Sequence, residues 1–181
     1  MELTRMDLRS FQGEYITTMS EALDIAEERT GDFYQFSLGQ WKRHRYDVKT
    51  LQDLGIDEAL PSAFALLKKG TSDVNDFESK SRGRDCYFIC LHDDQILKAL
   101  SKDKNLQLLP LLIYVFVHEL VHIVRFCNFS QRFDVSGNSR EKEEKIVHST
   151  TFEILKGLSS PRMDYVLHSY QRHRMCGMTM S

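Results

Sequence analysis

Val117-His118-Glu119-Leu120-Val121-His122 is the stretch around which the rest of the chain can be read, an H-E-x-x-H pattern inside a long apolar segment. On an α-helix His118 and His122 stand one turn apart on the same face, so both imidazoles reach one metal ion. Glu119 lies about 100° further round, near enough to hold a water on that metal and badly placed to be a third ligand. Two neutral nitrogen ligands, a carboxylate base and an open coordination position are what zinc-dependent hydrolysis needs. The pattern continues an apolar run over residues 108–117 and is followed by Ile123-Val124-Arg125-Phe126. Three polar side chains inside a helix that is apolar nearly all round are costly unless they are paired. A metal would pair them. The competing reading is two hydrogen-bonded core histidines with Glu119 paired to Arg125.

At 181 residues the chain has the length of one domain, and a single domain spanning 1–181 is expected. Apolar residues at 41% and charged residues at 28% describe a soluble globular protein. The formal net charge of −2, from 24 basic and 26 acidic residues, gives no global pull towards nucleic acid or a membrane surface. Cys86, Cys90, Cys127 and Cys176 form no C-x-x-C pair, which favours free thiols over a disulfide framework. The first residues, Met1-Glu2-Leu3-Thr4-Arg5-Met6-Asp7, lack an apolar signal region, so a cytoplasmic location is expected. Residues 108–126 are long enough to span a bilayer, but His118, Glu119, His122 and Arg125 crowd one end. A buried core helix fits that pattern better than a membrane span.

Taken in order, Thr18-x-x-Glu21 resembles a capping box opening a short helix over residues 21–29, stopped by Gly31. Residues 33–38 read as either a strand or a helical turn. Gln40-Trp41-Lys42-Arg43-His44-Arg45-Tyr46 is a basic and aromatic cluster, read as a solvated face with Trp41 and Tyr46 packed inward. A helix is expected from Asp57 to about residue 69, ended by Gly70, and a polar loop over residues 71–85. Cys86-Tyr87-Phe88-Ile89-Cys90-Leu91 is the best strand candidate. It either lines the cleft and pairs with an extended peptide or lies inside a sheet with no free edge. Short and long helices follow over residues 93–100 and 104–126, then a loop over residues 128–138. A last helix opens after Ser160-Pro161.

Two histidines do not close a zinc site. A third histidine six residues after His122 is absent, because that position is Asn128. A second helix is available, opened by Asn138-Ser139-Arg140-Glu141 and running to about residue 158. At 100° per residue Val147, Thr151, Leu155 and Leu158 share one face, and Glu144 and His148 fall on it. Glu141 and Glu143 lie to either side, nearer solvent. Glu144 is therefore the expected third ligand, with Glu143 its rival and a purely surface run over residues 141–145 the plain alternative. His148, one turn on, is expected to orient a ligand or touch substrate.

This combination, His118-Glu119-x-x-His122 and a downstream glutamate on a second helix, resembles the zincin metallopeptidases, specifically their gluzincin branch. The resemblance spans roughly residues 105–158, and its specific part is the pentapeptide. It implies an α+β, mostly helical zincin-like fold with a small β element, and zinc held by His118, His122 and Glu144. It implies that Glu119 activates the zinc-bound water for attack on a peptide bond, making peptides or proteins the substrate. The family usually has an acidic or amide residue where this chain has His148. His148, His168, Tyr165, Tyr170 and His173 are the candidates to stabilise an oxyanion. The alternative from another class is a catalytically silent zincin-like domain that binds a protein partner or senses metal. Nucleic-acid binding through residues 40–46 and the tail Arg172-His173-Arg174 is not expected. No motif sets the oligomeric state or the cleavage preference.

Overall fold

The computed structural model describes residues 9–43, 45–53, 63–71, 85–128, 137–170 and 176–180. Its centre is a 20-residue helix, α4 (Leu108–Cys127), in which every residue from Pro110 to Val124 is buried. Leu, Ile, Val and Phe fill all sides of its five turns, so it can be stable only when other elements surround it. Pro110 sits in the first turn, where the missing N–H would have had no acceptor within the helix. Among the described residues α4 is the one helix long and apolar enough to cross a bilayer, but its surface is taken up inside the fold.

The surrounding helices are α1 (Glu14–Tyr34), α2 (Leu38–Arg43), α3 (Asp93–Lys102), α5 (Asn138–Leu155) and α6 (Met163–Tyr170). The longest of them, α1, packs most extensively on α4. It runs well beyond the expected residues 21–29. Thr18 is not its cap: the hydroxyl lies within the helix and donates to the Glu14 carbonyl at 3.0 Å. Gly31 does not stop it either. Its hydrogen lets α1 approach Trp41, since a Cβ there would stand 3.1 Å from the indole Nε1. Residues 33–38 close α1 and open α2, with Gln35 in the left-handed region at φ 55°. Trp41 does pack inward, edge-on to Phe36 and Tyr46.

The β element is a four-stranded sheet in the order β1-β3-β2-β4, built from β1 (Tyr46–Lys49), β2 (Ala65–Thr71), β3 (Asp85–Leu91) and β4 (Cys176–Met180). Strand β3 runs parallel to β1 and antiparallel to β2, and β4 is parallel to β2. The helix expected to reach residue 69 is therefore a strand from Ala65 onward, while residues 57–62 lie outside the described set. Leucine and lysine are good helix formers, but local propensity is a weak determinant and the pairing of Leu67 with Ile89 outweighs it. The strand expected at residues 86–91 is present, but it is bonded on both sides and offers no free edge to a peptide. Ala65, Leu67, Tyr87, Ile89 and Leu91 face the main core, and Leu66, Phe88 and Cys90 form a small cluster on the opposite face.

Helix α3 begins with Asp93, whose buried carboxylate accepts the Phe11 N–H at 2.8 Å and the Leu51 N–H at 3.4 Å. One side chain thus ties the N-terminal segment and the end of β1 to the core. Helix α5 opens directly at Asn138, capped by Gly137 at φ 68° without a side-chain hydrogen bond, and ends at Leu155 rather than near residue 158. Among the described residues Cys86, Cys90 and Cys127 form no disulfide. The expected loop falls almost wholly on residues 72–84, outside the described residues. The architecture is α+β and mostly helical.

Candidate metal centre

Helix α4 carries His118, Glu119 and His122, all fully buried. Helix α5 packs beside it and presents Glu144 and His148, one turn apart. The His118 Nε2 stands 3.4 Å from one Glu144 oxygen, and the His122 Nε2 stands 3.4 Å from the other. One carboxylate therefore faces both imidazoles. Neither ring nitrogen of His118 and neither oxygen of Glu144 completes a hydrogen bond of ordinary geometry. Burying such groups without good hydrogen bonds is expensive.

A metal ion bound among these groups could offset that cost. For zinc–nitrogen and zinc–oxygen bonds of about 2.0–2.1 Å, a tetrahedral angle sets the nitrogen–oxygen separation at about 3.3–3.4 Å. Each observed separation is of that size, one to each oxygen of Glu144. His148 belongs to the same group. Its ring centroid is 4.7 Å from that of His118, and single donor atoms of His118, Glu144 and His148 lie within 4.8 Å of one another. His118, Glu144 and His148 thus form a buried group that could hold a metal ion. The pairwise distances add His122, which stands as far from the carboxylate as His118 does. Both sets share His118 and Glu144.

Burial pushes the His118 imidazole down to about 4, outweighing the opposite pull of Glu144, so the ring is neutral at pH 7. A neutral imidazole is the form that binds a metal. Burial works to raise the Glu144 carboxyl, but the His118 and His122 imidazoles beside it win and hold it well below the usual carboxylate range. Glu144 is ionised. The neutral His118 imidazole and the ionised Glu144 carboxylate face each other.

Glu143 does not share this role. It is buried rather than near solvent, and the Arg125 guanidinium forks onto it, with Nη2 donating to Oε2 at 3.0 Å and Nε contacting Oε1. The guanidinium considered for Glu119 is thereby taken up by Glu143. This pair links α4 and α5 three residues beyond His122 and adds to the packing of Val147 and Thr151 that sets the rotation of α5.

Tyr114 escaped the sequence reading. It lies one turn before His118, is buried, and its hydroxyl is 3.0 Å from the His148 Nδ1. Its ring stacks beside that of His118 at 6.5 Å. The signal was present, since a hydroxyl four residues before the first histidine shares its helical face.

The other expected oxyanion candidates are placed elsewhere or differently. The Tyr165 hydroxyl donates to Asp103 at 2.5 Å. His168 is exposed, with Nδ1 2.7 Å from the Asp164 carbonyl of its own helix. Tyr170 contributes its backbone carbonyl, 3.5 Å from the Tyr114 hydroxyl, and packs its ring edge-on to Phe64. His173, the tail Arg172-His173-Arg174 and the side chains of Lys42, Arg43 and His44 lie outside what is described. Comparisons with family models, characterised proteins and solved structures find no match to this chain.

Proposed function

We propose that the protein is a zinc-dependent metallopeptidase of zincin type, with His118, His122 and Glu144 as the protein ligands and Glu119 as the general base. The observation that carries this reading is the pair of 3.4 Å approaches, which place both imidazoles of an H-E-x-x-H helix on one carboxylate of a second helix. Two imidazoles and a carboxylate are a known catalytic zinc donor set. When bound, zinc supplies a Lewis acid that acidifies water and polarises a carbonyl. Within this chain, Glu119 takes the proton from the attacking water and delivers it to the leaving amine. The buried surroundings strengthen each of these electrostatic contacts.

The second reading is a metal-binding domain without turnover, and the complete burial of Glu119 favours it. Metal content by plasma mass spectrometry, followed by cleavage of a peptide library, decides the matter. The peptidase reading expects about one zinc in wild type and in Glu119→Gln, loss of zinc in Glu144→Gln, and cleavage by wild type alone. Zinc without any cleavage supports the silent domain. A wild type that takes up no zinc after dialysis against it overturns both.

A further inference from the structure

We propose that His148 is a fourth protein ligand, held in position by Tyr114, so that the resting metal centre is closed by the protein's own donors. The inference rests on the metal reading of His118, His122 and Glu144 and adds the coordination number. Four observations carry it. His148 is one turn beyond Glu144 on α5. Its ring stands 4.7 Å from that of His118. One of its nitrogens lies within 4.8 Å of donor atoms of both His118 and Glu144. Its Nδ1 is bonded to the Tyr114 hydroxyl.

The Tyr114 contacts bear on the tautomer. The Tyr114 oxygen lies 3.0 Å from the His148 Nδ1 and 3.5 Å from the Tyr170 carbonyl, and it has one hydrogen to give. A carbonyl can only accept. Both bonds form together only if Tyr114 donates to the carbonyl and the His148 Nδ1–H donates to Tyr114. The neutral ring then carries its lone pair on Nε2. An imidazole that gives one N–H to an oxygen and offers the other nitrogen to a metal is the usual form of a ligating histidine. A hydrogen-bond donor to an oxyanion would need the opposite tautomer.

A centre with three histidines and one glutamate has no position left for water, unlike the three-ligand site that hydrolysis requires. Turnover would then need His148 to leave, and its anchor reaches the Tyr170 carbonyl at the end of α6. The closed state is thereby coupled to the seating of that helix.

Cobalt substitution tests the coordination directly, with no need for activity. Wild-type, His148→Ala and Tyr114→Phe proteins are loaded with cobalt(II), and their visible absorption is followed as azide is added. The proposal expects no azide-dependent shift in wild type, a saturable shift in His148→Ala, and an intermediate response in Tyr114→Phe. Cobalt affinity should fall by roughly 10- to 100-fold in Tyr114→Phe, as for loss of a group that orients a ligand. A wild-type spectrum that shifts with azide as readily as that of His148→Ala overturns the fourth ligand and leaves the three-ligand site intact. Failure of wild type to bind cobalt overturns the metal reading itself. Should His148→Ala not fold, the wild-type titration and Tyr114→Phe still decide the proposal.

Discussion

Zinc added to the metal-free protein should raise its thermal midpoint by roughly 8–16 °C. The His118 nitrogens and Glu144 oxygens are buried without ordinary hydrogen bonds, so a metal held between them favours the folded state over the unfolded chain. Free zinc at about 1,000 times the dissociation constant stabilises that state by about 4 kcal/mol. In a chain of this size each kcal/mol moves the midpoint by about 2–4 °C. Glu144→Gln keeps the volume but removes the charge facing both imidazoles. An affinity loss of about 100-fold, the upper end for disturbing even an outer contact, subtracts about 2.7 kcal/mol and leaves a shift of roughly 3–6 °C. Glu143→Gln is the control, because it weakens the Arg125 fork by about 1.5–3 kcal/mol and lowers both midpoints while leaving their difference nearly intact. Differential scanning calorimetry with and without zinc reads all three proteins. An unchanged zinc shift in Glu144→Gln, or its collapse in Glu143→Gln alone, would refute the assignment of the two neighbouring glutamates.

Other expectations follow from the same structure. Glu119→Gln should retain zinc and lower peptide hydrolysis by about 10²- to 10⁴-fold in a steady-state assay, and wild-type rates would remove Glu119 as the base. Ile89→Ala, at the fully buried centre of β3, should cost about 2–5 kcal/mol in urea unfolding, and a cost below about 1 kcal/mol would contradict the packing of that sheet face. Gly31→Ala should be close to neutral, since a helix-propensity gain of about 1 kcal/mol meets the 3.1 Å contact with Trp41. Gly31→Leu should instead cost about 1–3 kcal/mol and shift Trp41 fluorescence. Burial raises the Asp93 carboxyl above its ordinary value, against the pull of the Phe11 and Leu51 N–H groups. The folded state then holds that proton more tightly than the unfolded chain, so this group's contribution grows as pH falls from its folded value towards the ordinary aspartate value. Asp93→Asn should therefore destabilise more in that acidic window than at neutral pH, and equal losses at both would contradict the shift.

The α4 helix was legible because its apolar run is long and its polar interruptions fall at helical spacing. Glu144 was legible by phase alone, since 100° per residue sets it on the face of Val147 and Thr151. The same phase argument misplaced Glu143, because a helix packed on two sides buries more than one stripe and an arginine from α4 can neutralise what lands there. Strand β2 was hidden for a different reason. Its Leu66-Leu67-Lys68-Lys69 sequence is a good helix in isolation, and its partner β3 lies some twenty residues away, beyond the reach of local pattern. Gly31 misled as a helix stop because glycine also serves close approach, and the aromatic that needs the space, Trp41, comes ten residues later.

The fork from Arg125 to Glu143 has a consequence for recognising this arrangement elsewhere. It makes the informative signature longer than the pentapeptide: H-E-x-x-H-x-x-R on one helix, answered by E-E-x-x-x-H on the next. The first glutamate of that answer serves as a key for the arginine, and the second meets the histidines. A chain that keeps the pentapeptide but loses either half of the key must find another way to clock its second helix. Where arginine and first glutamate exchange together for an apolar pair, the helix phase can survive. Where only one changes, the fork is weakened and the phase rests on the buried Val147 and Thr151 of the same helix.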